Sequence, residues 1–430
     1  MTKLHQISAT RAARMIASGE LSSEALVRSC LERIAAREPV VKAWAHFDAD
    51  SALAAARACD AAKPKGPLHG VPVAVKDVID TCDMPTRMGS PIYEDHRPAT
   101  DAACVAILRA AGAVILGKTV TAEFAGIAPG ATTNPHDPAR TPGGSSSGSA
   151  AAVADFMAPL ALGTQTGGSV IRPASFCGVV GFKPSFGLVS RVGVKFCAES
   201  LDTIGVIARS VADARLTWRA LVGLPHSLAP DLRDPPRFAL VKTHHWPKAS
   251  ADSVAAVENA IARMQARGAV FDEIVAPPEF SELSRARTVI NDYERARALA
   301  WEKSEHPAKI SAAMTRVIDN GWSISFEAYL QAQRTAEHWR AWLDIHAQGY
   351  DALIGAAVNG EAPPGLTTTG DTSFQEIWTV LHVPTITLPL SLGASGMPLG
   401  VQLIGKRFHD ERLLAVASWV MRDEPAASRQ

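Results

Sequence analysis

The sequence predicts an α/β protein in which helices cover both faces of a sheet. Segments with the composition of buried strands alternate with segments of helical periodicity along the 430 residues. Hydrophobic residues make up 47% of the chain and charged residues 20%, which supplies a large core and excludes a mainly disordered protein. Basic and acidic residues balance at 43 each without a polybasic run, so we expect neither nucleic acid nor a membrane surface as the main partner.

The N-terminal part of the chain is predicted to be helical. Ser22 or Ser23 can cap a helix. Its apolar residues recur at the i, i+3, i+4 and i+7 spacing, namely Val27, Cys30, Leu31 and Ile34. The chain start lacks the apolar segment of a secretory signal peptide. The six cysteines include no C-x-x-C pair, so we expect a reducing, cytoplasmic environment and no zinc ribbon.

Strands and helices alternate in the next part of the chain. A strand is predicted over 71–79, and Asp101 can cap a helix that Gly112 ends before a second strand begins. After a turn-rich stretch, an alanine-rich helix precedes a third strand, which runs into a pair of glycines. Ser210 and Asp213 form the pattern of a capping box for the helix that follows.

The proline-rich stretch 224–236 is either a linker between two domains or, as we favour, a crossing over the surface of one. Beyond it, strands at 237–242 and 270–275 flank a helix, and 280–347 is predicted to be mostly helical. No Asp, Glu, Lys or Arg occurs in 377–405, but prolines and glycines interrupt this stretch. We therefore expect two buried strands joined by a turn rather than a membrane span.

Lys76 and the segment 142–154 could carry chemistry, although each also has a purely structural interpretation. Lys76 lies in an apolar strand, where burial would lower the pKa of its amine and make it a usable base; alternatively, it extends to water. In 142–154, glycines and serines ahead of a helix offer N–H groups to an anion, or form a flexible linker. No lysine follows Gly148, which excludes a phosphate-binding P-loop.

A third candidate is the segment 163–173, with the sequence GTQTGGSVIRP. Ser169 follows two glycines at the end of a strand, where substrate can approach closely and successive N–H groups could form an oxyanion hole. The alternative is a tight turn with Arg172 on the surface. In combination, Lys76, GGSSSGS and GGSVIR resemble the amidase signature family, and Ser169 lies 24 positions after Ser145, as that family's pattern requires.

The resemblance continues through 177–190, 200–211 and 396–414. Within the family, the segments GTQTGGSVIRP, MPTRMGSPIY and TGDTSFQEIWT are most similar to malonamidase-like enzymes. Two positions depart from the common pattern. Ser147 stands where many members have glycine, and Gln165 stands where many have aspartate, a difference that the malonamidase-like branch shares.

The resemblance implies a single amidase signature domain over 1–430, an α/β fold whose large, mixed and twisted sheet is covered by helices on both faces. Within it we expect a helical N-terminal segment at 1–62 and a catalytic signature core at 65–222. A C-terminal part at 237–420 would complete the sheet and the pocket.

The family's catalytic positions fall on Ser169 as the nucleophile, Ser145 as the bridging serine and Lys76 as the base. The resemblance implies that neutral Lys76 takes the proton of Ser145 while Ser145 takes that of Ser169, whose oxygen attacks the amide carbon. The implied oxyanion hole consists of the backbone N–H groups of Thr166, Gly167, Gly168 and Ser169.

Further roles follow from the same resemblance. Ser146 is expected to support the relay by hydrogen bonding, and the Gly144–Ser145 peptide to be cis. In the malonamidase-like branch the arginine that matches Arg172 grips a substrate carboxylate, to which a planar guanidinium is suited, whereas elsewhere it is part of the scaffold. Asp202 matches a motif position without an assigned role. The sequence shows no metal cluster or cofactor fingerprint, and the relay needs neither.

The resemblance implies an amidohydrolase that cleaves the C–N bond of a small amide through an acyl-enzyme and releases ammonia or an amine, with malonamate-like acidic amides as one substrate class. The alternatives are the glutaminase subunit of a tRNA-dependent amidotransferase and a non-catalytic protein with an amidase fold. For the main interpretation we expect a small-molecule amide as partner, no nucleic acid, no membrane, a cytoplasmic location and a homodimer as an option. The far wall of the pocket is expected to include the loop 359–369 and helices near 280–345.

Overall fold

The computed structural model describes residues 3–225 and 232–422, so residues 226–231 of the proline-rich stretch lie outside the described part. Within it, one sheet contains the strands β1 (Trp44–Phe47), β2 (Pro72–Lys76), β3 (Val114–Thr119), β4 (Leu160–Gln165), β5 (Val180–Lys183), β6 (Thr203–Ala208), β7 (Arg237–Lys242), β8 (Val270–Val275), β9 (Ala352–Ala356), β10 (Thr385–Leu392) and β11 (Pro398–Ile404). The helices are α1 (Ala9–Ala17), α2 (Ser23–Val41), α3 (Ala49–Asp60), α4 (Ala103–Ala110), α5 (Ser147–Ala154), α6 (Ile171–Phe176), α7 (Val211–Leu221), α8 (Ala251–Ala266), α9 (Glu282–Ala298), α10 (Ala300–Glu305), α11 (Ala312–Ser323), α12 (Phe326–His346), α13 (Ser373–Val380) and α14 (Asp410–Met421).

The sheet combines parallel and antiparallel pairs in the order β1-β3-β2-β4-β6-β5-β10-β11-β9-β7-β8. Strand β2 pairs in parallel with β3 and β4, and β7 pairs in parallel with β8 and β9. The other pairs are antiparallel. Because β2 and β4 run in the same direction, their carboxyl ends, Lys76 and Gln165, lie at the same edge of the sheet. Ligand sites in α/β proteins commonly form outside such strand ends.

Helices cover both faces of the sheet. Successive strand residues point to opposite faces, so Val73 and Val75 pack in one buried cluster, whereas Ala74 belongs to another. The first cluster includes residues of α4, α7 and α14, and the second includes residues of α2 and α5. The predicted α/β fold with a large mixed sheet between helical layers is therefore confirmed.

Of the two helix starts with a predicted capping pattern, α4 lacks the predicted cap and α7 has only half of the predicted capping box. Asp101 does not cap α4, because its carboxylate accepts a hydrogen bond from the N–H of Cys82 at 2.9 Å instead. Ser210 caps α7 by accepting a hydrogen bond from the N–H of Asp213 at 3.1 Å. The reciprocal half of the capping box is missing, since the Asp213 carboxylate accepts from both the N–H and the hydroxyl of Thr10 at 2.7 Å. In both cases a tertiary partner competes successfully with the local one.

The uncharged stretch 377–405 contains the end of α13 followed by β10 and β11, which pair with each other inside the sheet. The prediction of two buried strands joined by a turn is confirmed, although a helix precedes them. In the part of the chain that the structure describes, no helix has both the length and the apolar character that crossing a membrane requires.

Candidate active site

Lys76 ends strand β2, and its side chain is fully buried. Its Nζ lies 2.8 Å from Oγ of Ser145 and 2.7 Å from Oγ1 of Thr164. Burial lowers the pKa of Lys76 to about 7, while the Asp202 carboxylate acts in the opposite direction. The alternative of a lysine that extends to water is thus excluded. An amine with this pKa is substantially neutral at pH 7 and can accept a proton from a hydroxyl.

The serine-rich segment before α5 places two serines beside this lysine. Ser145 is fully buried, and the Gly144–Ser145 peptide is cis, as the family resemblance implies. Ser146 bridges to strand β4, because its Oγ donates to the carbonyl of Thr164 at 3.2 Å and accepts from the N–H of the same residue at 3.3 Å. The N–H of Ser146 donates to the carbonyl of Ser169 at 3.3 Å. The segment is therefore tied both to the strand and to the residue after the glycine pair.

Ser169 lies in the wall of a cavity of about 360 Å³, just beyond the end of β4. Its hydroxyl forms no hydrogen bond with any described residue. The backbone N–H groups of Gly167, Gly168 and Ser169 likewise donate to no residue in the described ranges. Adjacent N–H groups without partners can stabilise a developing negative charge. Gly168 allows a close approach to α13, because a Cβ at that position would collide with Oε1 of Gln375 unless that side chain moved.

The structure brings the sequence-predicted residues together at this cavity. Thr166, Gly167, Gly168, Ser169 and Arg172 line it. Lys76 contacts Ser145, with 2.8 Å between Nζ and Oγ. The next residue after Ser145, Ser146, is in turn hydrogen-bonded through its N–H to the carbonyl of Ser169. One predicted link is missing, since no hydrogen bond joins the hydroxyls of Ser145 and Ser169 as these residues are described. Catalytic hydrogen bonds are often loose without substrate, so the arrangement remains compatible with the predicted relay.

Arg172 is buried, not at the surface. Its Nη2 donates to the carbonyl of Gly144 at 2.7 Å and to Oγ1 of Thr369 at 3.1 Å. Its Nε and Nη1 are buried without a hydrogen-bond partner among the described residues. Burial lowers the pKa of Arg172 to about 10, so the guanidinium stays charged at neutral pH. A cation with unused donors in a cavity wall is suited to an anionic ligand.

Two further arginines that the sequence did not single out line the same cavity. Arg287 and Arg295 project from α9, and the Nε atom of each has no hydrogen-bond partner within the described chain. Nη1 of Arg287 lies 3.8 Å from a carboxylate oxygen of Glu376. Asp292 and Asp371 also line the cavity. The pocket thus offers an excess of cationic groups together with acidic ones.

Asp202 now has a place in the site. Its carboxylate accepts hydrogen bonds from the hydroxyl of Thr166 and, at 2.6 Å, from the N–H of Cys197. Burial raises the pKa of Asp202 to about 7, against the lowering effect of the Thr166 hydrogen bond. Thr164, which contacts Lys76, was also missed. The signal for it lies in the parallel pairing of β2 with β4, which the sequence alone does not reveal.

The far wall of the cavity agrees in part with the prediction. Helix α9 contributes its arginines, and Val317 of α11 also lines the cavity. From the loop 359–369, only Thr369 reaches the cavity, and the following residues 370–372 complete that side.

Comparisons with known proteins support the resemblance to the amidase signature family. The sequence pattern of the Amidase family matches residues 25–414. A glutamyl-tRNA(Gln) amidotransferase subunit from Roseiflexus castenholzii is 34% identical over 477 aligned positions, which cover 98% of this chain and 96% of the relative. The corresponding subunit from Chloroflexus aurantiacus is 46% identical over 233 positions. That match covers 52% of this chain and about half of the relative's length, 48%.

A solved structure described as the crystal structure of an amidase superposes on this fold with a TM-score of 0.89 at 31% identity, covering 97% of this chain and 100% of the other. The superposition therefore covers nearly the whole chain. The relatives' names do not identify the malonamidase-like branch in particular.

The sequence-based prediction about partners is wrong. It named a small-molecule amide with a homodimer as an option, whereas the relatives from Roseiflexus castenholzii and Chloroflexus aurantiacus are each one subunit of an amidotransferase, which implies further protein chains in their assemblies. The prediction followed from preferring a stand-alone amidohydrolase, because the motifs that identify the family do not report on docking surfaces for other chains. The family pattern matches residues 25–414, and the relative from Roseiflexus castenholzii aligns with 98% of this chain, so the chain belongs to the Amidase family and is an amidohydrolase of the amidase signature type.

Proposed function

We propose that this chain hydrolyses the carboxamide of a small amide that carries a carboxylate, with glutamine as the leading substrate, as the amide-hydrolysing subunit of an assembly with other protein chains. One observation carries the reaction: the buried amine of Lys76, with its pKa lowered to about 7, lies 2.8 Å from Ser145 beside the cavity that Ser169 lines. The names of the relatives support the assembly.

The proposed relay begins with neutral Lys76. Its Nζ takes the proton of Ser145 while the Ser145 oxygen takes the proton of Ser169, which makes the Ser169 oxygen nucleophilic. For this step the Ser169 hydroxyl turns toward Ser145 when substrate fills the cavity. The Ser169 oxygen then bonds to the amide carbon, and the stored proton passes to the leaving nitrogen as the C–N bond breaks and ammonia departs. Water adds to the acyl-enzyme through the same relay and releases the acid.

The N–H groups of Gly167, Gly168 and Ser169, with that of Thr166, are the proposed oxyanion hole. The first three have no partner among the described residues, so they need not break a hydrogen bond to meet the oxyanion. Donors fixed in advance are effective because they pay no reorganisation energy during the reaction, and losing one typically costs about 2.7–4 kcal/mol of transition-state stabilisation.

The charges in the cavity support a substrate with a carboxylate. Arg172 offers two unpartnered nitrogens, and Arg287 and Arg295 add positive charge to the same wall. The carboxylates of Asp292 and Asp371 would suit an ammonium group on the same substrate. This combination of cationic and acidic groups matches an amino acid amide such as glutamine better than a simple dicarboxylic monoamide.

A second candidate is a stand-alone amidase for malonamate-like amides. It is favoured by Arg172, whose position three residues after Ser169 matches the carboxylate-gripping arginine of malonamidase-like enzymes, and by Gln165, which that branch shares. Asp371 distinguishes the two candidates, because malonamate carries no ammonium group. Asp371→Asn should raise KM for glutamine and leave KM for malonamate near the wild-type value.

Ammonia release from glutamine, malonamate and propionamide tests the proposal, together with labelling of Ser169 by a fluorophosphonate. We expect labelling of the wild type that Ser169→Ala abolishes. Arg172→Ala should raise KM at least tenfold for the two carboxylate amides and little for propionamide. Arg412→Ala, at a surface arginine paired with Asp351, is the matched control. Failure of labelling under conditions that modify a known amidase would refute the relay, and equal losses on all three amides would refute the carboxylate contact.

The assembly is tested separately, on the chain as its native cells produce it. We expect it to elute in size-exclusion chromatography well above its own mass of 45.5 kDa, with other chains at constant stoichiometry. Elution as an isolated chain with full glutaminase activity would contradict a subunit role and leave the hydrolytic chemistry intact.

A further inference from the structure

Gln165 holds the segment that follows Ser169. Its Oε1 accepts hydrogen bonds from the N–H of Val170 at 2.9 Å and from the N–H of Ile171 at 3.0 Å. Its Nε2 lies 3.0 Å from Oγ1 of Thr379. Gln165 has no exposed surface, so all of these contacts form away from water, where each hydrogen bond is strong and a missing partner is costly.

Thr379 connects Gln165 to the glycine pair. It lies on α13, more than two hundred residues further along the chain, and is 1% exposed. Its hydroxyl oxygen is 2.7 Å from the carbonyl oxygen of Gly167, to which it can donate its single proton. The carbonyl oxygen of Gln375 is a second acceptor at 3.3 Å, but the Gly167 oxygen is nearer and takes the shorter hydrogen bond. In either case the amide nitrogen of Gln165 is the donor to Thr379.

The carbonyl that Thr379 holds belongs to the same peptide unit as the N–H of Gly168. That peptide is trans, and in a planar trans peptide the C=O and N–H bonds point in opposite directions. Holding the Gly167 oxygen against α13 therefore turns the Gly168 N–H away from α13. Gly168 lines the cavity, and its N–H has no partner among the described residues.

A peptide between two glycines is the one most in need of such a restraint. With no Cβ on Gly167 or Gly168, the left-handed and right-handed backbone regions are nearly equal in energy, so this peptide unit can rotate with little steric resistance. Rotation would replace the N–H that faces the cavity with a carbonyl oxygen, which would repel an oxyanion.

We propose that Thr379 is a positioning residue for the oxyanion hole: its hydroxyl, supported by Gln165, fixes the Gly167–Gly168 peptide so that the Gly168 N–H faces the cavity. The inference rests on the proposed function, because the orientation of this N–H matters to catalysis only if Ser169 attacks a carbonyl carbon. It adds a residue outside the relay that controls the transition state and leaves the carboxylate contacts of the substrate unchanged.

Thr379→Val is the primary test, since valine keeps the shape and removes the hydroxyl. We expect kcat for ammonia release to fall roughly 10- to 100-fold, in the range below the loss of a complete oxyanion donor, with KM within about threefold of the wild type. Inhibition by a boronic acid that forms a tetrahedral adduct on Ser169 should weaken by a similar factor. Thr379→Ser, which retains the hydroxyl, should restore kcat to within about threefold.

Thr385→Val is the matched control. Thr385 is a fully buried threonine on β10 whose hydroxyl has no hydrogen-bond partner among the described residues. Its replacement by valine makes the same chemical change without affecting the Gly167–Gly168 peptide. Thr379→Ala supplies a second variant without the hydroxyl if the valine variant does not fold. Wild-type kcat in a folded hydroxyl-free variant, an equal loss in Thr385→Val, or a rise in KM at constant kcat would each overturn the positioning role.

The two levels of inference fail in different ways. If the wild type neither releases ammonia from any amide nor reacts with a fluorophosphonate at Ser169, the proposed function fails. If the wild type does both and Thr379→Val matches it, the proposed function stands and only the role of Thr379 is refuted.

Discussion

The pH dependence of amide hydrolysis should report the environment of Lys76. The base is active when neutral, so kcat/KM rises with pH through about 7 and reaches a plateau above it. At pH 6 roughly one-tenth of the amines are neutral, which places activity about tenfold below the plateau. Holding the pKa near 7 instead of the ordinary 10.5 corresponds to about 5 kcal/mol of lost preference for the charged form, supplied mainly by burial.

Asp202→Asn perturbs this balance in a direction that the structure defines. The Asp202 carboxylate raises the pKa of Lys76, so removing its charge lowers that pKa further. Burial also raises the pKa of the Asp202 carboxyl to about 7. The low-pH part of the activity profile, its acid limb, therefore reports the Lys76–Asp202 pair and not Lys76 alone. We expect the rise of activity with pH to begin at lower pH in Asp202→Asn, so that the variant keeps more than about one-tenth of its own plateau activity at pH 6.

The assay is kcat/KM for ammonia release between pH 5 and 9, with each variant normalised to its own plateau. Normalisation matters because Asp202→Asn also disturbs the hydrogen bonds to Thr166 and Cys197, which should lower the plateau. Asp410→Asn is the control, since Asp410 is equally buried but faces Lys183. A limb that stays in place or moves to higher pH in Asp202→Asn would refute the electrostatic role of this carboxylate.

Three further substitutions have defined outcomes. Gly168→Ala should lower kcat/KM at least tenfold and lower Tm, because the added methyl collides with Gln375; wild-type ammonia release would contradict this close approach. Asp155→Ala should lower the free energy of unfolding in urea by about 1–3 kcal/mol, because the partly buried Arg33 and Arg37 both lose their ion pair with the Asp155 carboxylate; an unchanged urea midpoint would count against this. Ser146→Ala should reduce kcat less than tenfold at constant KM, since its two hydrogen bonds to strand β4 are 3.2 and 3.3 Å long, and a complete loss of activity would show a direct role.

The proposed reacting groups could be named from the sequence because they lie in short segments of unusual composition. Lys76 stands out in an apolar strand, and Ser145 and Ser169 stand out beside glycines. The groups that hold these residues could not be predicted. Arg287 and Thr379 lie on helices of ordinary composition, and only the packing of α9 and α13 beside the end of β4 brings them to the positions from which their proposed roles follow.

The same distinction applies to the fold. Alternating strands and helices were predictable because apolar periodicity is local, and so was the pair of buried strands in 377–405. The order of the strands was not, since neighbours in the sheet such as β5 and β10 are about two hundred residues apart in the chain. The predicted capping roles of Asp101 and Asp213 failed for the same reason, because each carboxylate accepts a hydrogen bond from a backbone N–H that is distant in the chain.

A buried lysine of lowered pKa is not by itself a catalytic base, as a second lysine in this fold demonstrates. Lys183 is also fully buried, and burial lowers its pKa to about 7 as well. Its Nζ, however, donates to two carbonyl oxygens, those of Pro184 at 2.9 Å and Val383 at 2.6 Å. A carbonyl has no proton to give, so Lys183 can only donate. Lys76 instead contacts the hydroxyl of Ser145, which can donate its proton. Because of this partner, the lowered pKa of Lys76 suits the lysine to act as the proposed base.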